Sequence, residues 1–529
     1  MSDFPTVSIP SSWIWCRIQD VATTATGGTP SRSISEYFGG SIPWVKSGEL
    51  GDGHVFETEE TLSELGLKSS NAKLFPKGTL CIALYGATVG KLGILEVDAA
   101  TNQAVCGIFL PDEVHRDFSF YYLASIRRHL IEQGKGGAQS NISNGLVRET
   151  SIPIAPLNEQ RRIVAKIEEL FSDLDAGVAA LKRAKANLKR YRASVLKAAV
   201  EGKLTEQWRA KHPAKEPASA LLARILKERR LKWEADQLAK FAAAGKEPPK
   251  NWRDKYIEPI PPVTTGLPEL NDGWSWASVD QICEVGTGTT PSRTNSRFYE
   301  SGSIPWIMSG AVNLPFVNEA SVFVTEFALQ ETTLRLYPVG TLILALYGEG
   351  KTRGMVSELR IEATVNQALG ALVFFDAAAS IQPFVKVFLT SNYVQLRRQA
   401  AGGMQPNLNL GIVKQIAIPL PPIAEQFQIV SEVATKLSQI DAAETQIAHG
   451  LLRAARLRQS ILKRAFEGKL VPQDPKDESA SALLERLRTS RTHDESNGTA
   501  ATSKRTRAKI KESSGEPRTR IRRRPSSQN

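Results

Sequence analysis

Ser41-Ile42-Pro43-Trp44 returns as Ser303-Ile304-Pro305-Trp306, and Ala83-Leu84-Tyr85-Gly86 returns as Ala345-Leu346-Tyr347-Gly348. Glu201-Gly202-Lys203-Leu204 returns as Glu467-Gly468-Lys469-Leu470. The offset between matching residues is 261 at Pro30 and Pro291 and 266 at Gln160 and Gln426. So small a drift over half a chain means that one unit is written twice in tandem. The 529 residues therefore divide into two like halves rather than three or four unrelated domains.

Working outward from these matches, each half reads as a globular α/β segment followed by a long helix. The globular segments run from about Ile9 to Ala155 and from about Leu267 to Pro419, each opening on a Trp-x-Trp pair (Trp13 and Trp15; Trp274 and Trp276). Thr29-Pro30-Ser31 and Thr290-Pro291-Ser292 read as loops, because proline forces the preceding residue into an extended conformation. Leu80–Tyr85 and Leu342–Tyr347 are short apolar runs bounded by glycine, expected as buried strands. Asp117–Gln133 and Pro383–Gln399 are expected helices. After Pro156 and Pro422 the pattern changes to a seven-residue repeat. It runs through Ile167, Leu174, Leu181, Leu188 and Val195 in the first half, and through Val433, Ile440, Ile447, Ala454 and Ile461 in the second. A sustained repeat of seven predicts a helix-pairing seam rather than a merely amphipathic face. Thr205–Glu258 reads as a partly helical linker with no counterpart in the second half.

The net charge of +12 is unevenly placed. Thr205–Glu258 carries thirteen Lys or Arg against eight acids, and Thr499–Asn529 carries ten against two. The repeated units are thus close to neutral, and a phosphate-binding face on them must be a local patch. No apolar run reaches transmembrane length, and Met1–Pro10 has no signal-like pattern. Cys16, Cys81, Cys106 and Cys283 occupy no equivalent places, which argues against a disulfide or metal framework and fits a reducing cytoplasm.

Catalytic patterns are missing. Gly350-Lys351-Thr352 resembles the end of a phosphate loop, but the first glycine of that motif would fall on Ala345. The six histidines show no zinc spacing, and no Gly-x-Ser-x-Gly elbow occurs. The reading is a recognition or scaffold protein.

The residues shared by the halves fall into three sets. One is the Pro-Trp loop with Lys46 and Ser47, matched by Met308 and Ser309. Another is the Leu-Tyr-Gly loop, with Tyr85 and Lys91 matched by Tyr347 and Lys351, and Arg353 nearby. The last is Asn102-Gln103 followed by Gln139 and Asn141, matched by Asn366-Gln367, Gln405 and Asn407. Trp44 and Trp306 are expected in the core, and the polar residues in solvated loops.

Gln-x-Asn followed by Ile-Pro-(Ile/Leu)-x-Pro and Glu-Gln-x-x-Ile-Val, then a long helix closing on Glu-Gly-Lys-Leu, resembles the specificity subunits of Type I restriction–modification systems. The resemblance runs from about Ile9 to Leu487, in both copies. It implies target-recognition domains at 1–156 and 263–421, conserved helical regions at 157–204 and 422–487, a basic helical linker at 205–262, and a disordered basic tail at 488–529. The implied fold is two α/β (α+β) domains in tandem whose long helices form an antiparallel coiled coil with pseudo-two-fold symmetry. The implied role is non-catalytic: each domain reads one half of a bipartite double-stranded DNA site. Two methyltransferase (M) subunits dock on the helices and bring S-adenosylmethionine, and motor–nuclease (R) subunits bring ATP and Mg. No cofactor, metal or membrane is expected on this chain.

Glu49–Ser70 and Ala311–Thr333 differ most between the halves. With Arg32 and Arg293 they are the candidates for base contacts, while the shared Lys and Gln residues are candidates for backbone contacts. The competing readings are a stand-alone pseudo-dimeric DNA-binding regulator, which would need no partner, and a fused enzyme, which would methylate or cut alone.

Overall fold

The computed structural model describes residues 8–134, 141–348, 351–400 and 407–489. Gln139, Gln405 and the basic tail beyond Thr489 lie outside the described residues. Contacts divide the chain into two units. One joins the described parts of Met1–Leu181 and His449–Asn529; the other is Lys182–Ala448. The unit boundaries therefore fall inside the two long helices, Leu157–Val200 and Ile423–Phe466.

In the first unit a five-stranded sheet runs in the order Thr23–Thr26, Val105–Phe109, Leu80–Ala83, Leu92–Leu95, Gly53–Val55. All its pairings are antiparallel except the last. Leu80–Ala83 is buried at every position, as its unbroken apolar run requires of a strand covered on both faces. Leu80 and Ile82 face one core while Cys81 and Ala83 face another, following the alternation of side chains along a strand. A second sheet sets Phe38–Val45 antiparallel to Thr61–Leu62 and parallel to Ala99–Thr101. The amino-terminal strand Ile14–Arg17 pairs with Ser151–Ile154, so the domain closes at the foot of its long helix.

The second unit repeats this plan. Its five strands are Cys283–Thr287, Leu369–Phe374, Leu342–Ala345, Val356–Leu359 and Phe316–Val317, and Ser275–Ser278 pairs with Ala417–Leu420. The expected helix over 117–133 forms as Arg116–Gln133. Its counterpart is broken at Asn392 into Gln382–Ser391 and Tyr393–Ala400.

The Glu-Gln and Glu-Gly-Lys-Leu motifs have structural jobs. Gln160 Nε2 donates to the Ala155 carbonyl at 2.8 Å, and Gln426 Nε2 donates to the Pro421 carbonyl at 2.6 Å, tying each helix start to the strand before it. At the other ends Gly202 and Gly468 adopt φ of 69° and 67°. Lys203 N donates to Ala198 O and Lys469 N to Arg464 O, the pattern that stops a helix at a left-handed glycine.

Within each unit the start of one long helix runs antiparallel to the end of the other. In the first, Ile163, Ile167 and Phe171 share a core with Ile461, Leu462 and Phe466, and Arg458 pairs with Asp175. In the second, Leu196 and Ala199 share a core with Ile429 and Val433, and Arg192 bonds Asp441 and Glu444. Of the seam residues, Ile167, Val195, Val433, Ile440, Ile447 and Ile461 are buried, whereas Leu174, Leu181 and Leu188 are half-buried.

One expectation needs correction. The linker is not wholly without a counterpart. Glu216 pairs with Arg224 as Glu478 pairs with Arg486, and Ala218 N donates to Gly273 O as Ala480 N donates to Ser12 O. Each segment inserts leucines into its own unit's core: Leu221 with Ile225, and Leu483, Leu484 with Leu487. The sequence match here, Ala-Ser-Ala-Leu-Leu at 218–222 and 480–484, is short and was hidden by the charge contrast around it. Helix Ala218–Ala243 folds against Trp252 and Tyr256 through Trp233, and Glu228 accepts the amides of Asp376 and Ala377.

Candidate nucleic-acid interface

Backbone bonds in the first unit knit five loops together. Gly28 N donates to Thr101 O, Asn102 N to Val45 O, Leu84 N to Ala104 O, and Ile142 N to Leu84 O. Thr88 Oγ1 donates to Ser47 O at 2.9 Å, and Thr29 bonds Gln103. The loops carrying Arg32, Lys46 and Ser47, Tyr85 and Lys91, and Asn141 therefore meet on one side of the domain. The second unit repeats the net: Asn366 N donates to Ile307 O, Leu346 N to Ala368 O, Leu408 N to Leu346 O, and Thr290 bonds Gln367. This gathers Arg293, Ser309, Tyr347 and Asn407. Glycine is required where the loops touch: a Cβ on Gly27 would collide with the Thr101 carbonyl, and one on Gly288 with that of Val365.

Trp44 and Trp306 are buried, as expected, and each indole N–H is spent on a backbone carbonyl, Gly28 O and Thr289 O, at 3.2 Å. They form the floor of the site rather than its reading edge. Tyr85 leans on the core, while Tyr347 is 39% exposed. Asn141 and Lys351 are exposed, and the Lys351 carbonyl accepts from the Tyr393 hydroxyl. Lys91 and Arg353 are half-buried, and the Arg353 carbonyl accepts from Arg397.

Arg32 and Lys46 are less free than residues reserved for phosphate would be. Arg32 forms a two-bond pair with Glu60, 2.6 and 3.2 Å, with its guanidinium 4.8 Å from the Phe38 ring centre and 5.2 Å from that of Trp44. Lys46 bonds Glu59 at 2.8 Å and Glu60 at 3.1 Å. Arg32, then Lys46, holds the Glu60 carboxyl below the usual carboxylate range, and Glu59 with Glu60 pushes the Lys46 ammonium up. Sequence reasoning missed both glutamates, although they lie inside the variable stretch 49–70.

At the matching place the second unit is apolar. Trp306 N donates to Val322 O as Trp44 N donates to Glu60 O, so Val322 stands where Glu60 does, and Met308 stands for Lys46. A pocket of about 510 Å³ opens there, lined by Arg293, Tyr299, Glu300, Trp306, Met308 and Val322. Ser309 lines a neighbouring pocket of about 420 Å³.

Another clamp in the first unit, Arg127 with Asp52, ties helix Arg116–Gln133 to the loop before Gly53–Val55. No group of three or more His, Cys, Asp or Glu able to hold a metal occurs among the described residues, and none of their helices is long and apolar enough to cross a membrane.

Comparison with known proteins agrees with this duplicated plan. Residues 10–184 and 271–454 match the family described as the Type I restriction modification DNA specificity domain. The specificity subunit of the Type I restriction enzyme EcoKI from Escherichia coli K12 is 24% identical over 510 residues, covering 91% of this chain and 96% of the relative. That of MjaIX from Methanocaldococcus jannaschii is 22% identical over 428 residues, covering 79% and 86%. A solved chain from a Type I restriction–modification assembly superposes with a TM-score of 0.62 at 17% identity, covering 87% of this chain and 99% of its own. The HsdS subunit of Thermoanaerobacter tengcongensis gives 0.51 at 17%, covering 89% and 100%. These two structural likenesses speak to the fold.

Proposed function

The chain belongs to the Type I restriction–modification DNA specificity family, whose members are non-catalytic subunits working on DNA within a larger complex; from that premise we propose that each of its two units reads one half of a bipartite, asymmetric DNA site. The observation that carries this reading is a repeated backbone net holding unlike side chains: Lys46 and Glu60 in one unit, Met308 and Val322 in the other. A repeated frame with different reading groups suits a target whose halves differ in sequence. Two methyltransferase subunits dock on the long helices and supply S-adenosylmethionine for adenine methylation. Motor–nuclease subunits add ATP and Mg chemistry, and the assembly works in the cytoplasm, where the DNA lies. The chain's own part is to bind and orient DNA. A stand-alone regulator is not retained, because the family acts within a complex.

Mapping methylated adenines in cells with and without the gene gives the target sequence. Exchanging residues 1–156 for those of a relative should then change one half-site and leave the other intact. A change in both halves, or in neither, would overturn modular reading.

A further inference from the structure

The loop holding Arg32 and the loop holding Arg293 are built alike. Ser31 Oγ lies 2.8 Å from Ser33 Oγ, and Ser292 Oγ lies 2.8 Å from Thr294 Oγ1. A short 3-10 turn follows each, at Ser35–Tyr37 and Ser296–Phe298. An aromatic pair underlies both: Phe38 with Trp44 at 5.8 Å between ring centres, and Tyr299 with Trp306 at 6.1 Å. The arginine is thus kept at the matching place in both units: Arg32 lies over its aromatic pair, and Arg293 lines a pocket with Tyr299 and Trp306. Its surroundings are not kept. Arg32 is held by Glu60, which with Glu59 also holds Lys46. In the second unit valine and methionine replace the carboxylate and the ammonium. Arg293 forms no ion pair with any described residue; Glu300 shares its pocket without pairing.

We propose that the two reading domains meet DNA with different electrostatics. The first keeps Arg32 and Lys46 in a carboxylate cage, while the second presents Arg293 as an uncompensated phosphate contact. The inference rests on the DNA-reading function above. A guanidinium already paired with a carboxylate brings no net charge to the duplex, so it displaces few of the counterions condensed on DNA. A free one displaces about one and adds about 0.9 to the slope of log K against log salt. The first domain therefore contributes little to sequence-independent attraction and engages only where base contacts favour opening the cage. The second domain is the electrostatic anchor.

The test measures binding of the full chain to a random-sequence duplex by fluorescence anisotropy between 50 and 200 mM salt. Arg293→Gln, a surface change, should flatten the slope by about 0.9, shrinking the affinity lost over that fourfold salt range by about 3.5-fold. The pair Glu59→Gln with Glu60→Gln should free Arg32 and Lys46 and steepen the slope by about one to two. Placing a carboxylate beside Arg293 in the second unit, Val322→Glu, should flatten it as Arg293→Gln does; circular dichroism and a melting curve verify its fold. Unchanged slopes for Arg293→Gln and for the Glu59/Glu60 pair would overturn the asymmetry. Failure of the wild type to bind any duplex would instead count against the DNA-reading function itself.

Discussion

Replacing Arg209 with methionine should loosen the second unit at the foot of its long helix. Glu425 is only 2% exposed and accepts three hydrogen bonds: from Arg209 Nη1 at 2.6 Å, Thr205 Oγ1 at 2.7 Å and Trp274 Nε1 at 2.9 Å. Methionine preserves the aliphatic stem but leaves a buried carboxylate with two neutral donors. Removing one partner of a buried pair costs about 3–5 kcal/mol. Because the Arg209 side chain is 21% exposed and two donors remain, about 2–4 kcal/mol is expected here. For a unit of this size that lowers the melting temperature by about 5–15 °C. Glu425→Gln in the same chain removes the stranded charge and should restore at least about 1.5 kcal/mol, a coupling readable as a double-mutant cycle. Hydrogen exchange followed by mass spectrometry localises the effect: peptides within 271–287 and 417–440 should lose protection, and those within 8–26 should not. Equal destabilisation in the single and double variants would refute an ionic lock at this position.

The first unit has the same glutamate without the arginine. Gln473 Nε2 donates to Glu159 at 2.5 Å, and the Trp13 indole lies beside the carboxylate as a polar neighbour without hydrogen-bond geometry. Burial raises the Glu159 pKa above its ordinary 4.5, more than these neighbours lower it. A carboxyl raised in the folded state binds its proton more tightly when folded. It therefore contributes stability that grows as pH falls through the folded pKa toward 4.5 and is absent at higher pH. Glu159→Gln should raise the first unit's melting temperature at pH 7.5 and abolish that gain, as scanning calorimetry across pH 4.5–7.5 would show. Ending the chain after Lys469 removes Leu483, Leu484 and Leu487 from the first core, an upper limit of about 5–9 kcal/mol; exchange protection should fall in residues 8–134 and hold in 271–348. Burial pushes the Cys16 and Cys106 thiols up to about 12 and raises Cys81 and Cys283 as well. Native protein should resist iodoacetamide at pH 8, and the truncated chain should expose Cys16 to it first.

Much of the scaffold was legible because repetition and periodicity are long-range signals carried by many residues. Leu80–Ala83 could be read as a buried strand from its unbroken apolar run, and both long helices from a seven-residue pattern sustained over six turns or more. The Glu59–Lys46–Glu60–Arg32 cage was not legible in that way. Its members come from three loops, and charged residues in loops are ordinarily solvated. Only placing Glu60 opposite Val322 marks the position, and that match depends on a backbone bond to the preceding tryptophan strand rather than on side-chain identity. The break at Asn392 was equally hidden, since the residues around it suit a continuous helix.

The first unit is assembled from both ends of the chain, while the second is a single stretch, 182–448. A ribosome delivers residues in order, so the domain that emerges first is the one completed last. Throughout synthesis of the second half, Phe118 and Tyr122 lack Phe466, and the first core lacks Leu483. A stop codon just after Lys469 would thus spare the unit encoded late and damage the unit encoded early.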